Sequence, residues 1–338
     1  MRQIPFVLGI LLSVTGCGGG SPTEPSGAGG ISSLLQGQTV NVVDGAALAN
    51  LSVRVGNRYP VTSDGSGHFE VDMGDLSKYR VIIDGGSVVE RETRMAASGA
   101  RTRVSMIPST FDLRAFDEMF RTSNAQLQRW TSRPALVILG SVMDYRNSSD
   151  QTYSTTGEQL TDEEVAQLTA HLTEGLALLT GNTYSTFASV EIERHSSGTR
   201  VNTLRAGQIV VGRYSGITSL AKTIGYGMWS EQPDGSIVGG AMYLDRGFDR
   251  DDNRRRLLRI HELGHALGYQ HVESRTSIMN PSVGPEPTDF DRQGAMVAFA
   301  RPAGNKSPDV DPAATVLSAS SGGGRWMASA TACALPSQ

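Results

Sequence analysis

Cysteine is scarce in this chain of 338 residues, which contains two, Cys17 and Cys333. A disulfide framework of the kind that stabilises small secreted domains is therefore excluded. Positive charge is not in excess, because 30 Lys+Arg stand against 34 Asp+Glu, and this argues against a nucleic-acid binder. No apolar run reaches the roughly 20 residues of a membrane-spanning helix, which excludes a multi-pass membrane protein. The 39 glycines follow no three-residue period, which excludes collagen.

The N-terminus has the features of an export signal that ends at a cysteine. Arg2 provides a positive charge, an apolar stretch covers residues 4–12, and Val14-Thr15-Gly16 forms a small-residue cleavage region before Cys17. This arrangement resembles a bacterial lipobox, which implies that residues 1–16 are a lipoprotein signal peptide and that Cys17 is lipidated. An ordinary secretory signal with an incidental cysteine is the alternative. If Cys17 carries lipid, Cys333 has no intramolecular disulfide partner.

Two segments of the chain have little to bury. Residues 17–35 are rich in glycine, serine and proline and are predicted to be a flexible linker between the membrane and the folded part. The residue after Cys17 is Gly18, whereas an aspartate at this position is associated with retention in the inner membrane. We therefore expect the protein in the bacterial cell envelope, in the outer membrane or at the cell surface. Residues 303–338 are predicted to be a low-complexity, disordered tail, and Cys333 lies too far along it for us to expect a metal ligand there.

Residues 36–106 contain short alternating apolar runs separated by turn signals, a pattern typical of strands. The runs cover residues 39–43, 51–55, 69–71 and 79–83, and they predict a small antiparallel sandwich. The stretch from Gly37 to Asp72 resembles the carboxypeptidase regulatory-like, transthyretin-like β-sandwich. That resemblance implies a non-catalytic spacer or binding module, and a prodomain is the alternative.

From about Phe111 onward the pattern changes to mixed helices and strands. Thr161 and Glu164 form a capping-box signature at the start of one helix, which we expect to end at Gly181. Strands are predicted at residues 136–139, 190–193, 208–211 and 236–244. An earlier amphipathic helix with Asp112 near its start is indicated by apolar residues at helical spacing, namely Leu113, Phe116, Phe120, Leu127 and Trp130.

The segment HELGHALGYQH carries the chemistry. His261 and His265 are four residues apart, so a helix presents both imidazoles on one face, where they can share one Zn²⁺. Glu262 is rotated by about 100° from His261, which places it beside the metal as a partner for water. Gly268 allows a left-handed turn that ends the helix and returns His271 as a third ligand. Three imidazoles leave one coordination position open, which is typical of a catalytic zinc site.

This motif, followed by Ser-Ile-Met-Asn-Pro at residues 277–281, resembles the metzincin zinc peptidases and, within them, the matrixins. The resemblance implies an α+β fold in which a mixed sheet and an active-site helix form a catalytic domain at residues 107–302. The small all-β sandwich domain at residues 36–106 precedes it. A Met-turn is also implied, with Met279 beneath the zinc-bound histidines and Pro281 in one wall of the pocket beyond the cleaved bond.

Some positions depart from the family pattern. Val272 follows the third histidine, where matrixins commonly have serine. Pro281 stands where astacin-like enzymes have a tyrosine. The remaining histidines do not form a cluster with carboxylates that resembles the structural zinc site of matrixins, and each is interpreted as a surface or core residue; they are His68, His171 and His195.

The resemblance implies a zinc metalloendopeptidase with one catalytic Zn²⁺, in which Glu262 is the general base toward a zinc-activated water. We expect a monomer, attached to the membrane through Cys17, that hydrolyses extracellular or envelope proteins and peptides and does not bind nucleic acid. The alternative is a cell-surface binding or adhesion lipoprotein with a vestigial zinc domain. Glu262 favours the enzyme, because this residue has no structural duty at a metal site.

An extended substrate is expected to pair with an edge strand, which we place at residues 239–244. Gly239 and Gly240 would allow a close approach, and a β-bulge is an equally good explanation of them. A Ca²⁺ site is possible but unsupported, because four aspartates ahead of the motif match no known loop and helix capping is the use that we expect; they are Asp245, Asp249, Asp251 and Asp252.

Overall fold

The protein is described here from a computed structural model, over residues 33–121, 125–147 and 151–313 and, for the backbone, 331–334. These residues form sixteen strands and six helices, so the fold is mixed α/β with sheets and few helices. Within the same ranges, no helix is long and apolar enough to cross a membrane. The predicted signal peptide and Cys17 lie outside the described residues.

Seven strands lie between residues 34 and 106 and form two sheets, with the orders β4-β1-β7 and β3-β2-β5-β6. Alternate residues such as Phe69 and Val71 are buried, and both sheets contribute to one apolar core, as expected for a sandwich. The likeness to the carboxypeptidase regulatory-like module stays a prediction. The strands are β1 (Leu34–Asn41), β2 (Ser52–Val55), β3 (Val61–Thr62), β4 (His68–Asp72), β5 (Lys78–Asp84), β6 (Arg91–Ala96) and β7 (Arg101–Met106).

One pairing in this region differs from the predicted antiparallel arrangement. Strand β1 is antiparallel to β4 but parallel to β7. The prediction was wrong at this edge because alternating apolar residues reveal only that a strand has one buried face. The direction of the neighbouring strand leaves no such pattern.

The second half of the chain is built on a nine-stranded mixed sheet with the order β12-β10-β9-β13-β15-β14-β16, to which β11 adds beside β9 and β8 beside β15. Its central strands are buried along almost their whole length, because helices cover one face and a tyrosine-rich cluster lies on the other. The strands are β8 (Arg129–Trp130), β9 (Ala135–Asp144), β10 (Thr152–Gln159), β11 (Val190–Glu193), β12 (Arg200–Asn202), β13 (Gln208–Ser215), β14 (Thr223–Glu231), β15 (Ser236–Asp245) and β16 (Thr331–Ala334).

Six helices accompany this sheet, and the two central ones pack closely against each other. A Cβ atom at Gly175 would lie 3.1 Å from Leu263 Cδ2, so glycine sets the short distance between α2 and α5. The helices are α1 (Leu113–Phe120), α2 (Asp162–Leu179), α3 (Ile217–Ala221), α4 (Arg246–Asp251), α5 (Arg255–Ala266) and α6 (Asp289–Phe299).

The predicted helix signals are confirmed at the starts of α1 and α2 and at the end of α2. Asp112 accepts a hydrogen bond from the backbone N–H of Ala115, and Thr161 and Glu164 form both bonds of a capping box. Gly181 has a φ of 55° just beyond α2. The extent of α1 was wrong, because the helix ends at Phe120 and the apolar residues predicted beyond it, Leu127 and Trp130, lie in a loop and in β8.

The sheet order also corrects the predicted edge strand. Strand β15 contains residues 239–244, yet it lies between β13 and β14 and therefore has no free edge. Gly240 is needed for a contact inside the protein, since a Cβ atom there would lie 3.0 Å from the carbonyl oxygen of Ala266. A shift in the β14–β15 register beside Gly239 agrees with the alternative of a bulge.

Residues 303–313, which were predicted to belong to a disordered tail, are packed against the sandwich. Arg301 and Asp309 form a fully buried ion pair with an Nε–Oδ1 distance of 2.6 Å. Arg91 of β6 contacts Asp311 at 2.8 Å, and the backbone N–H of Glu92 donates to the carbonyl of Asp309. Composition alone did not reveal this segment, because its polar residues are buried by partners about 200 positions earlier in the chain.

Removing the carboxylate of this buried pair should therefore destabilise the fold. We expect Asp309→Ala to lower the free energy of unfolding by about 3–5 kcal/mol, because it leaves the Arg301 guanidinium buried without its partner. Glu90→Ala is the control, since Glu90 is exposed and its loss should cost less than about 0.5 kcal/mol. Urea denaturation measures the free energy of unfolding of both variants. An equal loss in the two would contradict the packing of residues 303–313 into the fold.

Candidate metal centre

Helix α5 carries His261, Glu262 and His265 of the motif and is buried from Leu257 to its end. The helix lies against α2 on one side and beneath β14 on the other. At its C-terminus, the indole N–H of Trp130 donates to the carbonyl of Ala266 at 3.0 Å. Because each side of α5 is fixed by packing, the side chains at positions 261, 262 and 265 have defined directions.

Gly268 ends the helix as predicted and turns the chain toward the third histidine. Its φ is 99°, a left-handed conformation that favours glycine. A Cβ atom at Gly268 would also lie 2.5 Å from Ile237 Cδ1, so the turn packs tightly on β15. The backbone then places the ring of His271 against the rings of His261 and His265.

The three imidazoles converge through one kind of atom. The Nε2 atoms of His261 and His265 are 3.1 Å apart, and His271 Nε2 lies 3.2 Å from each of them. Within the described ranges, these three residues are the group of His, Cys, Asp or Glu side chains placed to hold a metal ion.

Backbone carbonyls determine the tautomer of two of the rings. His261 Nδ1 donates to the carbonyl of Ile278 at 2.6 Å, and His265 Nδ1 donates to the carbonyl of Tyr269 at 2.7 Å. A carbonyl oxygen can only accept, so each neutral ring carries its hydrogen on Nδ1 and has a lone pair on Nε2. The converging atoms are therefore metal-ligating atoms that would otherwise repel one another.

Burial keeps these rings neutral. Removal from water lowers the pKa of His261 to about 3 and that of His271 to about 4. The pKa of His265 is also lowered well below its ordinary value by burial. A neutral imidazole is the form that binds a metal, so the site needs no deprotonation at neutral pH.

The observed geometry fits a zinc ion. Nitrogen ligands at about 2.0–2.1 Å from a tetrahedral ion lie roughly 3.3 Å from one another, close to the separations found here. Three nitrogen ligands leave a fourth position for water or substrate. His261, His265 and His271 are therefore the residues that could hold the metal.

Glu262 is the second indication that an ion or a water molecule binds beside the histidines. Its side chain is buried, and neither carboxylate oxygen has a hydrogen-bond partner in the part of the chain that the structure describes. Burial raises the pKa of this carboxyl well above its usual range. Native proteins rarely leave such a group unsatisfied, and an ion or a water molecule beside it is the usual explanation.

Two glycines of β14 bring the sheet close to Glu262. A Cβ atom at Gly225 would lie 2.9 Å from Glu262 Oε1, and one at Gly227 would lie 2.5 Å from His265 Cβ. Sequence reasoning missed both residues. A signal was present in the Gly-Tyr-Gly spacing, which puts two glycines on one face of a strand.

The segment that was predicted as a Met-turn lies beneath the histidines. Met279 is fully buried, and a Cβ atom at Gly264 would overlap its Sδ atom, so Gly264 makes room for the methionine under α5. The backbone carbonyl of Met279 accepts a hydrogen bond from the backbone N–H of Val272 at 3.1 Å. Pro281 follows the turn and is half-buried.

Asp291 of α6 holds this turn, and sequence reasoning missed it. Its carboxylate accepts from the backbone N–H of Ile278 at 3.2 Å and from the hydroxyl of Ser277. The same carboxylate completes a capping box with Thr288, so the Thr-x-x-Asp pattern was a visible signal of the helix start. Asp291 thus supports the carbonyl that orients His261.

The aspartates considered for Ca²⁺ have other partners. Asp245 caps α4, as expected, by accepting from the backbone N–H groups of Gly247 and Phe248. Asp249 is instead buried between two arginines, 2.5 Å from Arg213 and 2.6 Å from Arg259. Capping was therefore the wrong expectation for Asp249, because its partners come from β13 and α5.

Residues 151–300 match the family model described as Matrixin. The match begins at β10 and ends with α6, so it includes all three histidines and the turn at Met279. It supports a metzincin-like metallopeptidase domain in this part of the chain, and the matrixins are zinc-dependent. No curated protein matches the chain.

The close approach of β14 to α5 should not tolerate a larger residue. We expect Gly227→Ala to lower the free energy of unfolding by about 1–3 kcal/mol, because its Cβ atom meets backbone and Cβ atoms that cannot rotate away. Gly65→Ala is a matched control, since a Cβ atom there meets no atom within 4 Å. Thermal unfolding of both variants measures the difference, and similar transitions would contradict the tight contact.

Metal content tests the ligand set directly. We expect about one zinc per purified chain. His265→Ala should weaken zinc binding by more than about 100-fold, because even changes to the groups around metal ligands cost about 10–100-fold. His68→Ala, at a histidine of the sandwich, and Glu262→Gln should leave zinc bound. Elemental analysis after dialysis measures all three, and full zinc content in His265→Ala would contradict this ligand set.

Proposed function

We propose that this protein is a zinc-dependent endopeptidase that hydrolyses peptide bonds of extracellular or envelope proteins. The observation that carries the proposal is the convergence of three imidazole Nε2 atoms, two of them unprotonated, beside a buried, unpartnered carboxylate. The matrixin match over residues 151–300 supports the same class of reaction.

Four residues of the chain have separate roles in this reaction. A zinc ion, when bound, supplies a Lewis acid for the scissile carbonyl and lowers the pKa of water. The Nε2 atoms of His261, His265 and His271 would hold it. Glu262 would accept a proton on its carboxylate as water attacks the carbonyl carbon, and would pass that proton to the leaving amine.

The surroundings of Glu262 suit it to both steps. Burial raises the pKa of its carboxyl, which makes the carboxylate a stronger base than a solvated glutamate. The two glycines of β14 exclude water from one side of the carboxylate, since no side chain separates strand and helix there. An approaching substrate would therefore meet a base that bulk water does not solvate.

Strand β14 replaces β15 as the proposed site of substrate pairing. It is antiparallel to β15 and lies directly over Glu262. Its other edge pairs with β16 at residues 223–227, and an extended peptide that replaces β16 there can add to this edge through main-chain hydrogen bonds. The proposed localisation, a lipid anchor at Cys17 in the bacterial envelope, is a separate part of this proposal that rests on the lipobox resemblance.

Casein cleavage by the exported form of the chain tests the proposal. We expect cleavage that a zinc chelator abolishes and added zinc restores. Glu262→Gln should retain zinc but lower kcat/KM by about 10²–10⁴, the usual contribution of general acid–base catalysis.

A control at another acid with a partner inside the protein separates catalysis from stability. Glu193→Gln alters a half-buried carboxylate of β11 that pairs with Arg205 at 2.5 Å. That variant should keep most of its activity. Undiminished cleavage by Glu262→Gln, or cleavage that resists the chelator, would reject the peptidase and favour a binding or adhesion lipoprotein.

A further inference from the structure

The chain's own C-terminal segment adds a strand to the sheet beside the metal centre. β16 is antiparallel to β14 and pairs Thr331 with Gly227, Ala332 with Tyr226 and Cys333 with Gly225. The partners of β16 thus lie between residues 223 and 227, whereas β14 itself extends to Glu231. The added strand covers one half of the outer edge of β14.

That half is the part of β14 closest to Glu262. The Cβ positions of Gly225 and Gly227 lie against Glu262 and His265. Paired strands are about 4.7–4.9 Å apart. The backbone of Cys333 is therefore one strand spacing from Gly225, at which a Cβ atom would lie 2.9 Å from Glu262 Oε1, and β16 passes beside the metal centre.

A strand edge can pair with one strand at a time. The other edge of β14 is taken by β15 along almost its whole length. A peptide substrate that pairs with β14 next to Glu262 must therefore use the backbone groups that β16 occupies. The sequence of β16, Thr-Ala-Cys-Ala, has no charged residue and no proline. Each of its residues can therefore pair with β14 through main-chain hydrogen bonds.

Attachment to the same chain strengthens this competition. A segment joined covalently to its binding edge acts at an effective concentration on the order of millimolar. Free substrates must exceed that concentration or bind more tightly to displace it. An edge occupied for about nine tenths of the time lowers the apparent affinity for substrate about ten-fold.

We infer that Thr331–Ala334 is a self-inhibitory strand, which occupies the substrate edge of β14 and must leave before a protein substrate can bind. The inference rests on the proposed function of the metal centre. It concerns the backbone of the segment and does not require the Cys333 thiol to bind the metal.

Proline substitutions in the full-length chain test this inference. Ala332→Pro combined with Cys333→Pro removes the N–H groups of two consecutive residues, one of which faces β14 in any register. We expect kcat/KM for a peptide substrate to rise about ten-fold, mainly through a lower KM. Intact mass must show that each protein still ends at Gln338, so that loss of the tail by cleavage does not mimic the effect.

Two controls separate strand pairing from other causes. Cys333→Ser keeps the backbone able to pair, so its kcat/KM should stay within about two-fold of the parent chain. Ser320→Pro combined with Ser321→Pro places two prolines outside β16 and should also have no effect. Activation by Cys333→Ser equal to that of the proline variant would overturn the inference in favour of metal ligation by the thiol.

Hydrogen exchange supplies a readout that does not depend on activity. The amides of residues 223–227 that point toward β16 should exchange at least about ten-fold faster in the Ala332→Pro, Cys333→Pro variant, because β16 no longer protects them, whereas those that point toward β15 should not change. Unchanged exchange would overturn the pairing, and faster exchange without activation would overturn the inhibition. If zinc-loaded parent and variant both fail to cleave any substrate, the proposed function itself fails, while exchange still decides whether the strand pairs.

Discussion

Two hydrogen bonds from imidazole to backbone are the constraint on which the metal centre depends. The carbonyls of Ile278 and Tyr269 each accept from Nδ1 of a histidine, so both rings must present a lone pair at Nε2. Two such lone pairs 3.1 Å apart, with His271 Nε2 3.2 Å from each, form an arrangement that is unfavourable without a cation. The turns that supply these carbonyls are therefore as much a part of the centre as the histidines. Asp291 extends this support to α6, because it holds the backbone N–H of Ile278.

Close packing of sheet and helix determines the chemistry of Glu262. The two glycines at positions 225 and 227 remove the side chains that would otherwise keep β14 away from α5. The carboxylate is left dry, which raises its pKa, and neither of its oxygens has a hydrogen-bond partner in the described part of the chain. The same contact makes the edge of β14 the place where an extended chain passes the metal centre. Substrate pairing and self-inhibition are thus proposed for one edge.

The sandwich and the peptidase-like part are joined by a buried polar network. Residues from β6 and β7 meet the segment after α6, where Arg301, Asp309 and Asp311 exchange hydrogen bonds and ion pairs. Breaking a buried charge pair costs several kcal/mol, so we expect this network to couple the stability of the two parts. Residues 33–313 and β16 belong to one compact unit. The sandwich is therefore not a loosely attached spacer.

Much of the metal centre could be predicted from sequence because its signals are local. The four-residue spacing of His261 and His265, the left-handed Gly268 and the Thr161 capping box each depend on neighbours within one or two helical turns. Features that depend on long-range contacts have no such local signal in the sequence. The edge strand was assigned to β15, and the segment after Pro302 to a tail, because strand order and buried ion pairs depend on residues far apart in the chain. The sequence by itself determined which side chains can bind a metal and on which face of a helix they lie. Only the tertiary structure decided which strand covers them, which carbonyls orient them and which segment of the chain lies beside them, since those choices follow from packing between distant elements.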